Sequence, residues 1–167
     1  FDSETTAMAM GFQVLAAVRA AAQGASLAES LSAAEKARAN SGVLFAVDTL
    51  EFLHRGGRIG GASRYLGTAL QLKPILTIED GKIEALERVR TKKKAHARLS
   101  QIVVERLHGK SNIRLATLHA DAAEDANDLL EKTAERLDVV EKVYSEVSPV
   151  IGTHVGPGTV GLAYAYD

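Results

Sequence analysis

The sequence has no cysteine, which excludes a disulfide scaffold, a thiolate zinc site and a cysteine nucleophile. Tryptophan is absent too, and aromatic residues reach only 5%, too few for an aromatic cage or a base-stacking platform. Neither sign of charge dominates. Twenty Lys+Arg against 21 Asp+Glu leave a formal charge of −1, which is not the footprint of a general nucleic-acid binder. No apolar run approaches the ~18–20 residues of a membrane span, and no basic-then-apolar signal peptide opens the sequence. There is no internal repeat and no low-complexity linker. These absences fit a cytoplasmic protein. What remains is ordinary globular material: 167 residues, 46% hydrophobic and 25% charged, enough for one domain with its own core. The sequence starts at Phe1 without an initiator Met and enters a helical pattern within a few residues, as a fragment or processed chain does.

Periodicity places the elements. An Ala-rich helix is expected from Thr5 to Gln23, with Met10, Val14, Leu15 and Val18 at helical spacing and Gly24 ending it. Ser26 and Glu29 form a capping box that opens a second helix running to about Ala39. Val43 to Val47 is a continuous apolar run of strand length, hence a buried strand. A short helix with Leu50, Phe52 and Leu53 follows, then a glycine-rich break, then a helical stretch from Ala62 to Leu70. Pro74–Ile78 and Ile83–Val89 flank Asp80-Gly81 as a β-hairpin. A long helix from about Thr91 to Leu107 carries an apolar stripe of Ala95, Leu99, Ile102 and Val103. Ile113–His119 reads as a strand and Ala122–Leu137 as an acidic helix with Ala126, Leu129, Leu130 and Thr133 inward. Strands at Val139–Val147 and Thr159–Tyr166 close the chain. The fold class is therefore α/β of the α+β type: a mixed, partly antiparallel sheet over 41–167 with helices packed on it, preceded by a helical lead-in over 1–40.

Three clusters have chemical potential. Gly56-Gly57-Arg58-Ile59-Gly60-Gly61 lies between short helices, where backbone N–H groups can face an anion. Its spacing is neither G-x-G-x-x-G nor a Walker A loop. The plainer reading is a tight turn that needs φ > 0, with Arg58 paired to a carboxylate. In the second cluster, Gly152-Thr153-His154-Val155-Gly156-Pro157-Gly158-Thr159, a histidine is set among glycines between two strands. Read as a shaped loop, it lets an imidazole meet a carboxylate or phosphate, with Thr153 and Thr159 adding hydroxyls and Gly156 and Gly158 allowing close backbone approach. The plainer reading is a turn with a solvated histidine. Third, Arg88, Arg90, Lys92, Lys93, Lys94 and Arg98 crowd a helix start, where the macrodipole disfavours cations. A solvated face explains most charge runs; a phosphate-bearing or acidic partner is the alternative. The five histidines form no metal-ligand spacing and there is no G-x-S-x-G elbow, so no enzyme constellation emerges.

The blocks, in order, resemble a known family. Phe52-Leu53-His54-Arg55-Gly56-Gly57-Arg58-Ile59 is similar to the L-x-x-G-G-R-I segment of the DegV family. Lys73-Pro74-Ile75-Leu76-Thr77, Asp80-Gly81-Lys82-Ile83 and Val89-Arg90-Thr91-Lys92-Lys93-Lys94-Ala95 continue the pattern. Gly152 to Gly161 resembles its terminal G-x-H-x-G-P-G block, and Asp2-Ser3 resembles the segment that crosses from the first domain. The resemblance implies a two-domain bacterial protein that encloses a long-chain fatty acid in a tunnel, uses no cofactor and presents the acid to a separate fatty-acid kinase. It implies that His154, Thr153, Gly156, Gly158, Arg58 and Ile59 approach the lipid, and that Arg90, Lys92 and Lys93 serve the partner. The family's amino-terminal domain, with its Thr-Ser motif, has no counterpart here. The chain is thus expected to be the C-terminal, lipid-enclosing domain, folded alone but a poor binder by itself. A rival reading is a phosphoryl- or acyl-transfer subunit related to dihydroxyacetone-kinase-type domains, with Arg58 and His154 catalytic. A DNA-binding role lacks both net positive charge and a helix-turn-helix pattern.

Overall fold

A computed structural model describes residues 1–66 and 72–167. In chain order it contains α1 (Ala7–Ala22), α2 (Leu27–Ala39), β1 (Ser41–Ala46), α3 (Glu51–Arg55), a 3-10 helix (Gly60–Tyr65), β2 (Lys73–Glu79), β3 (Lys82–Val89), α4 (Lys92–Leu107), β4 (Ile113–His119), α5 (Ala123–Ala134), β5 (Val139–Val143), α6 (Pro149–Val155) and β6 (Val160–Ala165). The strands form one six-stranded sheet in the order β3-β2-β1-β6-β4-β5. Pairing is antiparallel except between β4 and β5, which the crossover helix α5 joins in parallel. The expected mixed sheet is the observed one.

Local signals account for most boundaries. Ser26 accepts from the Glu29 amide while the Glu29 carboxylate accepts from the Ser26 amide, so the capping box opens α2 as expected. Thr91 caps α4 through the Lys94 amide. Asp80 and Gly81 both take positive φ, 49° and 72°, the hairpin geometry their sequence favours.

Four expectations need correction. His154 does not lie on a loop between two strands: Ser148 caps a short helix with Pro149 in its first turn, and that helix, α6, carries His154 in its last turn. The strand expected over 139–147 accordingly ends at Val143. The helical stretch expected from 62 to 70 is a 3-10 helix ending at Tyr65, and its remainder lies outside the described residues except Leu66. On α1 the buried face is Ala9, Phe12 and Gln13, whereas Met10, Val14 and Val18 are 43%, 54% and 56% exposed. The helix is apolar nearly all round, so periodicity cannot choose its inner face.

The strands choose it. Alternation sends Leu44, Ile75, Leu115 and Leu162 to one side of the sheet, against Ala95, Leu99, Val103, Ala126 and Leu130 of α4 and α5. The opposite side of β4 and β6 is made mostly of small residues, Ala116, Gly161, Ala163 and Ala165, with Leu118 the exception at the end of β4. A flat, small-residue surface lets α1 come close, with Phe12 supplying the bulk the strands lack. Gly161 is the tightest point of the sheet, because an added Cβ would fall 2.3 Å from the Leu44 carbonyl oxygen. That neighbour is backbone and cannot yield. We predict that Gly161→Ala destabilises the fold by about 1–3 kcal/mol, seen as a lower urea midpoint at unchanged slope; an unchanged midpoint contradicts this packing.

Candidate functional site

The small-residue surface does not extend to β1, where Val43 and Phe45 face the same side as α1. Around these two residues the helices leave a gap. A cavity of about 230 Å³ is bounded by Val43, Phe45, Ile78, Ile83 and Leu118 from the sheet, Leu53 from α3, Ile151, His154 and Val155 from α6, and Thr5, Thr6 and Ala7 at the start of α1. Its polar side chains are Thr5, Thr6, Arg58 and His154. Apolar walls with a few convergent polar groups are the usual make-up of a small-molecule site, although the volume falls just below the common ~300 Å³ lower end.

The glycines hold His154 there. A Cβ on Gly56 would sit 2.2 Å from His154 Nδ1, so the imidazole occupies the space a side chain would fill. Gly156, at φ +79°, lies against the Phe52 ring, where an added Cβ would be 2.3 Å away. Gly158, also at φ +79°, faces Asp48 in the same way. Both glycines thus pin the turn after α6 onto the segment after β1. Thr159 braces the turn from within, its buried hydroxyl lying 3.0 Å from the Val155 carbonyl oxygen and 2.9 Å from that of Gly156. His154 Nδ1, packed against Gly56, is buried and has no hydrogen-bond partner among the described residues. A buried imidazole nitrogen without a partner costs free energy.

The expected site residues separate into two groups. Arg58 and His154 line the cavity together. Arg58 is exposed at its edge and donates to the Gly56 carbonyl oxygen at 2.8 Å, rather than to a carboxylate. Gly156 and Gly158 shape the wall without lining it, and Ile59 packs into the core beside it. Thr153 points elsewhere: it is exposed, and its hydroxyl donates to the Val150 carbonyl oxygen at 2.8 Å. Thr5 and Thr6 escaped the sequence reading. Their signal is backbone strain, since Glu4 and Ala7 on either side adopt positive φ of 53° and 51°.

Comparison with known proteins decides the family. A family model described as "Uncharacterised protein, DegV family" matches residues 1–167. A DegV domain-containing protein of Streptomyces coelicolor is 43% identical over 162 residues, covering 96% of this chain and 57% of that protein. The chain belongs to the DegV family. The DegV family protein of Thermus thermophilus, described for its fatty acid binding, superposes with a TM-score of 0.94 at 38% identity, over 100% of this chain and 60% of that one. DegV of Bacillus subtilis, described as a fatty acid binding protein, superposes with a TM-score of 0.86 at 33% identity, again over 100% and 60%. The chain therefore spans less than two thirds of the length of the DegV proteins it matches.

The part of the basic cluster carried by α4 sits on the other face of the sheet in this DegV chain. Lys92 is paired with Asp125 at 2.6 Å and Arg98 with Glu87 at 2.6 Å, and the Arg88 guanidinium lies over the Tyr65 ring at 4.3 Å, so three of the six cations have partners on the protein itself. His96 lies with Lys92 and Asp125 in a groove between α4 and α5. Burial, with Lys92 adding to it, holds its pKa below the usual histidine value against the pull of Asp125. Arg90 and Lys93 stay exposed. The cluster nonetheless shares an end of the sheet with the His154 turn. Lys73 pairs with Val89 across the hairpin and reaches Asp48 at 2.8 Å, and Asp48 is the residue that Gly158 faces. Among the described residues no group of acidic or histidine side chains is arranged to hold a metal ion, and no helix is long and apolar enough to cross a membrane.

If Gly56 is the seat of the imidazole, filling it moves the imidazole. Gly56→Ala is predicted to leave thermal stability within about 1–2 kcal/mol of the parent while shifting the His154 ring resonances in a two-dimensional NMR spectrum. Unmoved His154 resonances contradict the contact.

Proposed function

We propose that this chain binds a long-chain fatty acid, with the hydrocarbon in the cavity beside Val43 and Phe45 and the carboxylate at His154 and Arg58. The observation that carries the reading is that His154 and Arg58 converge on one cavity whose walls are otherwise mostly apolar. An imidazole beside a guanidinium suits a carboxylate, and the apolar walls suit a chain in which each buried CH₂ contributes about 0.8 kcal/mol. The fatty acid binding described for the Thermus thermophilus and Bacillus subtilis relatives supports it. On this reading the chain is a binding component without chemistry or a cofactor of its own. Its affinity is expected to fall below that of the longer relatives, whose additional length would cover more of the ligand.

Two measurements test it. Native mass spectrometry of the purified chain is expected to show a co-purifying acyl mass. Calorimetric titration with palmitate is expected to weaken by about one to two decades in His154→Ala, the worth of a hydrogen bond to a charged group. Equal affinity of parent and variant overturns the head-group assignment. An empty protein that instead turns over a phosphorylated substrate favours the enzyme-subunit reading.

We also propose that Arg90, Lys92 and Lys93 receive a separate fatty-acid kinase. Their place at the sheet end that carries the His154 turn supports this, and exposed cations raise association rates more than they hold hydrocarbon. Lys93→Glu combined with Arg90→Glu is expected to leave bound lipid unchanged and to slow acyl-phosphate formation, most strongly at low salt. Lost lipid with normal phosphorylation reverses the assignment.

A further inference from the structure

Next to the proposed acyl cavity lies a second, polar pocket of about 170 Å³, bordered by the exposed Glu4 and Asp80, and the two share Thr5 and Ile78 as a common wall. The sheet register sets its position. Ala46 opposes Ile75 near one end of β1, where the α6 turn packs, while Ser41, Gly42 and Asp80, which border the pocket, lie at the opposite end. A chain entering at His154 and passing Phe45, then Val43, would arrive at Thr5.

Two of the four buried polar atoms without a hydrogen-bond partner among the described residues belong to this wall and pocket: Thr5 Oγ1 and Gln13 Oε1. Gln13 is only 1% exposed, the most buried polar side chain on α1. Its amide nitrogen donates to the Ser3 carbonyl oxygen at 3.2 Å, which fixes the flip and leaves the oxygen as a free acceptor. The entry segment is held firmly around it: the Ser3 hydroxyl donates to the Thr5 carbonyl oxygen, and Arg38 donates to that of Asp2 at 2.7 Å. Positive φ at Glu4 and Ala7 shows that local geometry is strained to place Thr5. A hydrocarbon end would leave both oxygens unsatisfied, whereas a hydroxyl on the chain would satisfy them.

We propose that the acyl site accepts fatty acids carrying a hydroxyl remote from the carboxylate, with Thr5 and Gln13 receiving that hydroxyl. The inference rests on the fatty-acid reading above and names a ligand class within it. Sites built to pair a ligand hydroxyl discriminate against the analogue that lacks it, because their own polar groups are otherwise left unpaired.

The test is competition of palmitate, ω-hydroxypalmitate and a mid-chain hydroxystearate against a fluorescent fatty acid on the parent chain, Thr5→Val, Thr5→Ser and Gln13→Leu. The expected result is that one hydroxylated acid binds at least as tightly as palmitate to the parent, although its hydroxyl makes it the less hydrophobic ligand. In Thr5→Val that ratio is expected to drop by about five- to tenfold, with Thr5→Ser keeping it. Gln13→Leu is expected to lower the ratio likewise where circular dichroism shows it folded. A parent that favours palmitate by tenfold or more over both hydroxy acids, or a ratio unmoved by Thr5→Val, overturns the proposal while leaving the fatty-acid reading standing. Binding of none of the three acids removes the fatty-acid reading, and this inference with it.

Discussion

Strands β1, β4 and β6 are buried on both faces, and they carry unequal volume to the two sides. Toward α4 and α5 they present leucine, valine and tyrosine, which fill the layer completely. Toward α1, β4 and β6 present alanine and glycine except at Leu118, so a helix can lie almost on the backbone there. Large side chains on that side gather at Val43 and Phe45 of β1 with Leu118 at the end of β4. The step between the small surface under α1 and the taller one along β1 keeps the covering helices from closing evenly, and the cavity forms at the step. A uniform apolar face would have produced a second core like the first.

The same step explains the glycines. Short helices α3 and α6 must pack around the tall part of the sheet, and their connections are drawn tight against neighbouring side chains. Gly56, Gly156 and Gly158 each occupy a place where the atom of another residue stands at the position a Cβ would take. The result is a histidine whose ring is fixed by what surrounds it and not by a hydrogen bond.

Much of this was legible in the residues. The capping box at Ser26, the Asp80-Gly81 turn, the inward stripes of α4 and α5 and the mixed pairing follow from local chemistry and period. Arg58 and His154 were legible as binding candidates because glycine-rich segments frame both. The inner face of α1 was not legible, because Met10, Val14 and Val18 are as apolar as Phe12 and only the small residues of β4 and β6 decide between them. Helix α6 was hidden by its length and by its glycine and proline, which read as a turn. Thr5 and Gln13 were silent: their significance lies in hydrogen bonds not made, a property that appears only when long-range packing is complete. The lysines at the start of α4 illustrate the converse, since Lys92, placed against the helix dipole, is compensated by Asp125 from the next helix.

The central claim is that the step in the sheet surface holds an acyl chain with its carboxylate at His154. It is tested most directly by a crystal structure of this chain grown with palmitate. The account predicts continuous elongated density beginning between His154 and Arg58, running over Phe45 and Val43 and ending beside Thr5. Density confined to the exposed face of α1 or to the groove between α4 and α5, with the cavity beside Phe45 empty, would contradict it.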